Sequence, residues 1–244
     1  MTATGNPLSK EEISALAARM FLDVDAVHFA NDKPFIFTSG WASPVYMDCR
    51  KLISFPDVRR EMVDLAISTI QRDIGLQTFD TIAGGETAGI PFAAWIADQL
   101  NLPMQYVRKK PRGFGRKAQI EGYLLEGQKV LLIDDLATDG RTKINFCTAL
   151  RDAGGKVEHV FVLFYYDIFP QSEKFLDDIG VQLHALATWA DILTIANDNT
   201  KYDNEVLAEV NDFLSDPIGW SRAQGGVAEE RMLSQPYGGK PGIS

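Results

Sequence analysis

The sequence predicts an α/β fold in which a central, mostly parallel sheet is flanked by helices. From Phe79 onward the chain repeats one order, namely an apolar run, a glycine-bearing turn and a helical pattern. Apolar runs such as 130–133 are continuous, which is typical of strands buried on both faces. The length of 244 residues and the 45% apolar content suit one such domain, or one domain with a small accessory piece.

The N-terminal part predicts a helix followed by short strands. Ser9 and Glu12 have the spacing of a capping box, and apolar residues at helical spacing predict a first helix that runs to about Phe29. The aromatic and β-branched stretch 35–46 is interrupted by Thr-Ser-Gly and by a proline, which predicts a short hairpin or two strands around a turn. A second helix is predicted after Pro56.

The later elements follow the repeated order, with strands predicted at 81–83, 130–133, 157–166 and 181–187. The segment 108–117 is basic and rich in glycine, so we expect a long mobile loop there. From about Gly219 the chain carries paired glycines and little apolar periodicity, so we expect disorder. The predicted parts are therefore an N-terminal piece (1–55), a core (56–215) and a disordered tail (216–244).

Charge and cysteine content exclude several classes of protein. The formal net charge of −9 argues against a nucleic-acid partner, because phosphate neutralisation needs a surplus of Lys and Arg on one face. Cys49 and Cys147 lie far apart and belong to no Cys/His cluster, so neither a disulfide framework nor a zinc site is indicated. No signal peptide and no bilayer-spanning apolar run is apparent. We therefore expect a cytoplasmic protein without a membrane partner.

The segment 130–142 carries the strongest chemical pattern. A buried strand delivers two adjacent carboxylates, Asp134 and Asp135, into a loop that opens a helix, and ligands of open α/β sheets bind beyond the carboxyl ends of the strands. Amides and hydroxyls of 138–142 suit a phosphate dianion. The carboxylates would repel that phosphate, so ribose hydroxyls or a magnesium ion are their natural ligands. The pattern resembles the phosphoribosyl pyrophosphate-binding signature of type I phosphoribosyltransferases, and no Walker or dinucleotide-binding motif is present.

Three further segments resemble one branch of that superfamily, the orotate phosphoribosyltransferases. Residues 37–46, with the order Ser-Gly-x-x-Ser-Pro, resemble the hood, the part of 1–55 that closes over the base. Residues 83–91 resemble the loop whose backbone amides receive pyrophosphate, where glycines allow close approach. Residues 106–115 resemble the flexible catalytic loop. The resemblance extends over about 29–196 with the order and spacing of the family.

This resemblance implies a type I phosphoribosyltransferase fold with a small N-terminal hood. It implies that orotate and phosphoribosyl pyrophosphate give orotidine 5′-phosphate and diphosphate. It also implies Mg2+, held through the diphosphate and ribose hydroxyls without a firm protein ligand, and a homodimer with a shared active site. The implied catalytic residues are Arg108, Lys109, Arg112, Asp134 and Asp135. The implied substrate-binding residues are Tyr46, Met47, Gly84, Gly85, Glu86, Thr87, Ala88, Asp134, Asp135, Leu136, Ala137, Thr138, Asp139, Gly140, Arg141 and Thr142.

In such a reaction the leaving pyrophosphate gains negative charge while the ribose gains oxocarbenium character. Magnesium and the basic loop would stabilise the leaving group, at ~3–4 kcal/mol for each preorganised donor. The two aspartates would orient the ribose and favour its positive charge. Orotate loses its N1 proton readily, so no dedicated acid-base residue is needed. We interpret His28, His159 and His184 as packing or surface residues.

Three loop and hood positions depart from the family pattern. Thr38 stands where many members have a Lys that contacts phosphoribosyl pyrophosphate, Arg112 replaces a Lys, and Phe114 replaces a His. Arg112 keeps the charge, although its planar fork is not equivalent to an ammonium group. Phe114 cannot donate to pyrophosphate, so hydrophobic cover or the donors of Arg116 or Lys117 must serve in its place.

A fourth departure concerns the base. Many relatives carry Asp-Arg after the strand at 160–164, where the Arg binds the orotate carboxylate, but this chain has Asp167 and Ile168. The carboxylate must then be recognised by backbone amides, by Tyr165 or Tyr166, or by a residue from elsewhere.

Three alternatives stay open at the level of sequence. The absent arginine favours a phosphoribosyltransferase for another base, such as uracil or a purine, whereas the Ser-Gly-x-x-Ser-Pro segment opposes it. A non-catalytic regulator that senses phosphoribosyl pyrophosphate would need a nucleic-acid surface, which the charge of −9 and the short N-terminal stretch oppose. A decayed site, suggested by Thr38 and Phe114, is opposed by the intact acidic pair and basic loop.

Overall fold

The computed structural model describes residues 8–30, 33–37, 40–112, 119–138, 140–169, 171–198 and 201–227. The helices in these ranges are α1 (Lys10–Asp23), α2 (Pro56–Asp73), α3 (Gly89–Leu100), α4 (Arg141–Asp152), α5 (Gln171–Asp177), α6 (Trp189–Asn197), α7 (Asn204–Ser215) and α8 (Pro217–Ala223), with a short 3-10 helix at Cys49–Ser54. The strands are β1 (Val27–Phe29), β2 (Phe35–Ile36), β3 (Ala42–Ser43), β4 (Val45–Met47), β5 (Thr81–Gly85), β6 (Met104–Val107), β7 (Ile120–Glu121), β8 (Lys129–Ala137), β9 (Lys156–Tyr165) and β10 (Gln182–Thr188).

Six strands form the central sheet, in the order β10-β9-β8-β5-β6-β7. The pairs are parallel except that β7 runs antiparallel to β6. The predicted mostly parallel sheet is therefore confirmed, and the structure adds β6 and β7. After β5 the chain forms β6 and β7 on one side of that strand, and it then returns to form β8 on the other side of β5. The strand order thus reverses between β5 and β8, and ligands of open α/β sheets bind at such a reversal.

Both faces of the sheet are buried, as the continuous apolar runs predict. In β8, Leu131 and Ile133 pack in one hydrophobic cluster with residues of α1, α2, α3 and α6. Val130 and Leu132 pack in a second cluster with residues of α4. Alternate residues of a strand point to opposite faces, so one run fills both layers. The hood comprises β1 to β4 and the 3-10 helix Cys49–Ser54. The first cluster also contains Met47 of the hood, so the hood shares a core with the sheet.

The first helix ends earlier than predicted. It begins with the predicted capping box between Ser9 and Glu12, but it ends at Asp23. The chain then turns at Asp25, whose φ of 52° is left-handed, and continues into β1, which pairs antiparallel with β4. The expected helix to Phe29 is wrong because strand pairing within the hood overrides the helical spacing of the apolar side chains.

The strands beneath the predicted site are longer than expected. β5 includes Gly84 and Gly85, which were predicted as a turn, because Gly84 pairs with Ile133 of β8. β8 continues through the acidic pair to Ala137, which pairs with Tyr165 of β9. The two carboxylates therefore project from a strand rather than from a loop.

The C-terminal part is ordered through Val227, so the expected disorder from Gly219 is wrong over that stretch. Ser221 of α8 is fully buried. Its Oγ accepts a hydrogen bond from Ala42 N (3.0 Å) and donates one to the Val227 carbonyl (2.8 Å), which joins this part of the chain to the hood. Residues 228–244 lie outside the described residues. Over the part that is described, the helices are too short or too polar to cross a membrane.

Candidate active site

The candidate site is a cleft of about 310 Å³ at the carboxyl ends of β5 and β8. The hood, the residues after β5, the end of β8 and the start of α4 form its walls. The predicted residues that line it are Tyr46, Met47, Glu86, Thr87, Ala88, Lys109, Asp134, Asp135, Leu136, Thr138, Gly140 and Thr142. Four other residues line it that sequence reasoning missed, namely Asp48, Cys49, Arg50 and Lys143. The fold thus brings four separate segments of the sequence to one place.

The two carboxylates of the acidic pair lie in different surroundings, because neighbouring residues of a strand point to opposite faces. Asp134 is 4% exposed, and Lys143 Nζ of α4 lies 2.6 Å from its Oδ2. Asp135 is half-buried and has no such ion pair in the described part of the chain. Burial, and next the negative charge of Asp134, raises the pKa of Asp135 to about 7, while Lys143 opposes that rise. Asp135 is therefore the carboxylate of the pair that remains available to a ligand.

Lys143 is the most consequential residue that sequence reasoning missed. Its side chain is 6% exposed, and its ammonium group donates to both Asp134 and the Leu136 carbonyl. The helical spacing of α4 carried the signal, because one buried face is formed by Lys143, Phe146, Cys147 and Leu150. A lysine on a buried helix face needs a carboxylate partner. The acidic pair lies nine and eight residues before Lys143 in the same segment.

The chain after β5 packs closely against the acidic pair. A Cβ on Gly85 would lie 2.9 Å from Asp134 Cγ, and one on Gly89 would lie 2.7 Å from Asp134 Oδ1. Glycine is therefore needed at both positions. This close packing brings residues 86–88 to the cleft, where the Glu86 carboxylate accepts a hydrogen bond from Lys109 N (2.7 Å).

The start of α4 offers backbone amides to an anion. Gly140 is the N-cap residue, with a φ of 76°, and no side chain caps the helix. The first amides of a helix have no partner within it, and the helix dipole favours negative charge there. Thr138 and Thr142 line the cleft beside these amides. Asp139, predicted in the same segment, lies outside the described residues.

The hood supplies another wall of the cleft. Tyr46 and Met47 lie in β4, and Met47 N donates to Tyr166 Oη (3.3 Å) in the core. Arg50 Nη2 donates to Tyr46 Oη (2.9 Å), and Arg50 Nε donates to Asp48 Oδ1 (2.5 Å). The hood therefore presents an aromatic side chain and a guanidinium group that are bonded to each other.

The structure separates the basic residues of the predicted catalytic loop. Lys109 lines the cleft. Arg108 turns toward β7, where its Nη1 lies 3.5 Å from Glu121 Oε1. Arg112 is exposed and does not line the cleft. Residues 113–118, including Phe114, lie outside the described residues.

The other predicted positions lie behind the cleft or outside the described residues. Gly84 and Gly85 end β5, Ala137 ends β8 and Arg141 begins α4, and none of the four lines the cleft. Thr38 is not described. The histidines do not line the cleft either, and His159 and His184 contact each other on β9 and β10, with ring nitrogens 3.1 Å apart.

The carboxylates of the cleft can be compared with what Mg2+ requires. No group of three or more His, Cys, Asp or Glu side chains in the described ranges could hold a metal ion. Mg2+ commonly needs no protein cage, since it takes one or two carboxylates together with substrate phosphates and water. Asp135 and Glu86, which both line the cleft, fit that set of donors.

The open parallel sheet, the acidic strand end and the uncapped helix start define the class of protein as a phosphoribosyltransferase. The sequence model of the phosphoribosyl transferase domain family matches residues 59–181, which include β5, β8 and α4.

Comparison with similar proteins shows to which family within that class the chain belongs. The chain is 53% identical over 215 residues to the orotate phosphoribosyltransferase of Ruegeria sp. (strain TM1040), a match that covers 88% of this chain and 95% of that one. The fold is similar to orotate phosphoribosyltransferase from Aeropyrum pernix, with a TM-score of 0.66 and 30% identity over 75% of this chain and 98% of that one. It is also similar to Leishmania donovani UMP synthase, with a TM-score of 0.72 and 30% identity over 84% of this chain and 43% of that one. The chain belongs to the orotate phosphoribosyltransferase family.

Proposed function

We propose that the cleft of this orotate phosphoribosyltransferase binds phosphoribosyl pyrophosphate across the ends of β5 and β8, and orotate beneath the hood. One observation carries the proposal: Asp135, the uncapped start of α4 and Tyr46 of the hood line the same cleft. The amides of α4 would bind the 5′-phosphate, residues 86–88 the diphosphate, and Asp135 the ribose hydroxyls.

The reaction that fits this cleft is a displacement at C1 of the ribose. The N1 lone pair of orotate, whose proton has been lost to solvent, forms the new C–N bond. The C1–O bond breaks, and its electron pair leaves with the diphosphate. Because the ribose gains positive charge on the way, the Asp135 carboxylate stabilises it electrostatically. Asp134, which is paired with Lys143, holds the strand end and thereby places Asp135.

Magnesium would be held mainly by the diphosphate and the ribose hydroxyls, with Asp135 or Glu86 reaching it directly or through water. When bound, it supplies positive charge to the leaving diphosphate.

We propose a homodimer in which the basic loop of the neighbouring copy completes the site. Diphosphate carries several negative charges, whereas Lys109 is the only residue of the predicted basic loop that lines the cleft in the described chain. Arg108 is paired with Glu121, and Arg112 does not line the cleft. A neighbour's 108–117 would supply the missing cations. Mixing two inactive variants, Asp135→Asn and Arg112→Ala, should then restore part of the activity in hybrid dimers, because one of the two sites would combine an intact Asp135 with the neighbour's intact Arg112. No restoration would argue for a site within one copy.

Spectrophotometry tests the function directly. Purified protein is mixed with phosphoribosyl pyrophosphate, magnesium and orotate, beside parallel reactions with uracil, hypoxanthine and adenine. We expect magnesium-dependent loss of orotate alone, and a much slower loss with Asp135→Asn. Turnover of a different base in place of orotate would refute the assignment of the base.

We propose that the protein works in the cytoplasm, with 1–55 covering the base and 56–215 forming the catalytic core. Two buried free thiols support a reducing compartment. Burial raises the pKa of Cys49 well above its ordinary value and that of Cys147 to about 12, so both thiols stay protonated at neutral pH.

A further inference from the structure

Orotate differs from uracil by one carboxylate, so a site that selects orotate needs hydrogen-bond donors beside the base, and a cation is the strongest donor of this kind. The end of β9 and the tyrosine that follows it do not supply such a donor. Tyr165 and Tyr166 are 5% and 1% exposed, and neither lines the cleft. Tyr166 packs edge-on against Phe164 and Trp189, with ring centroids 5.8 and 5.4 Å away. Both tyrosines are therefore core residues, so a cation that binds the carboxylate has to come from another wall of the cleft.

Three cationic side chains line the cleft in the described part of the chain, namely Arg50, Lys109 and Lys143. Lys143 is buried and bonded to Asp134. Lys109 follows β6 and lies beside Glu86, in the part of the cleft proposed for the diphosphate. Arg50 is the cation of this set that comes from the hood, where the base is proposed to bind.

Arg50 is arranged to receive a carboxylate. Two of its five N–H groups donate to Asp48 and Tyr46, which fixes the plane of the guanidinium. The remaining three have no partner among the described residues, and the side chain is 60% exposed. The bond to Asp48 is the main cause that raises the pKa of Arg50, and the charge of Asp135 adds to it, so Arg50 lies within electrostatic reach of the proposed ribose site. A planar fork of donors matches a carboxylate in two parallel bonds.

We propose that Arg50 binds the carboxylate of orotate and so selects orotate over uracil, while Asp48 and Tyr46 hold the guanidinium in position. This proposal rests on the proposed function of the cleft. It also explains how the carboxylate can be recognised although no arginine stands directly after β9.

Binding of two nucleotides tests the proposal. Orotidine 5′-monophosphate and uridine 5′-monophosphate share the ribose phosphate and differ by the carboxylate. Calorimetry gives their dissociation constants for the wild type and for Arg50→Gln. We expect the wild type to prefer orotidine 5′-monophosphate by about tenfold to a hundredfold, the range for a charge-assisted contact, because Arg50 is 60% exposed and water weakens the pair. Arg50→Gln should bind the two nucleotides about equally, with the affinity for uridine 5′-monophosphate unchanged.

Controls separate a direct contact from a structural effect. Lys51→Gln changes the neighbouring cation, whose Nζ donates to the Asp25 carbonyl (2.9 Å), and should keep the preference. Arg50→Lys keeps the charge without the fork and should keep part of the preference. A preference that survives in Arg50→Gln, or an equal loss of affinity for both nucleotides, overturns the proposal.

Consumption of orotate by the wild type tests the proposed function separately from the role of Arg50. If the wild type consumes orotate but shows no preference between the nucleotides, the role of Arg50 fails and the function stands. If the wild type consumes no orotate, the function itself fails.

Discussion

Replacing Lys143 by Met tests the buried ion pair beneath the active site. Met has a similar length and no charge, and both partners of the pair are only about 5–6% exposed, so solvent screens the pair little. The variant leaves the Asp134 carboxylate buried without its cation and removes a donor from the Leu136 carbonyl. Breaking a buried pair from one side costs ~3–5 kcal/mol. We expect the free energy of unfolding to fall by about that amount.

Urea unfolding followed by circular dichroism measures this change. The matched control is the double variant Asp134→Asn with Lys143→Met, which removes both charges together. The double variant should be more stable than the sum of the two single losses predicts, by at least ~1 kcal/mol, because the partners are coupled. A single variant that loses less than ~1 kcal/mol, or losses that simply add, would refute the argument that this pair holds the end of β8.

Three further outcomes are expected. Asp135→Asn should lower orotate turnover by about a hundredfold or more. The pKa of Asp135 is raised to about 7 in the folded state, so this carboxyl stabilises the wild type at low pH and the stabilisation is lost as the pH rises through about 7. The thermal midpoint of the variant should therefore fall less than that of the wild type between pH 5 and pH 8. Ser221→Ala removes the acceptor of the Ala42 amide and should cost ~1–3 kcal/mol and speed amide exchange in the hood, whereas the exposed helix hydroxyl variant Ser215→Ala should change neither. Burial lowers the pKa of His184, so neutral His184 stabilises the fold above pH 6.5, and this stabilisation is lost as the pH falls below 6.5. In thermal scans between pH 7 and pH 5, the midpoint of His184→Gln should therefore depend less on pH than that of the wild type. An equal pH dependence in both proteins would contradict this role of His184.

The sequence by itself determined the class of fold and the place of the chemistry. A continuous apolar run at 130–133, an acidic pair and a glycine-bearing helix start are contiguous, so local sequence alone predicts a parallel strand that ends at an anion-binding helix. The same holds for residues 83–91, since glycines before a helix predict close backbone approach. Short-range patterns of this kind carry their own structural meaning.

Tertiary structure decided which of these residues face one another. The packing of α4 against β8 pairs Asp134 with Lys143 and leaves Asp135 to bind a ligand in the cleft, although the two aspartates look equivalent in the sequence. Hood pairing turned a predicted helical stretch into β1, and packing against Ala42 ordered a tail that looked disordered. Arg50 reaches the cleft only because the hood folds over the ends of β5 and β8. These contacts join residues far apart along the chain, so they depend on packing that no local pattern contains.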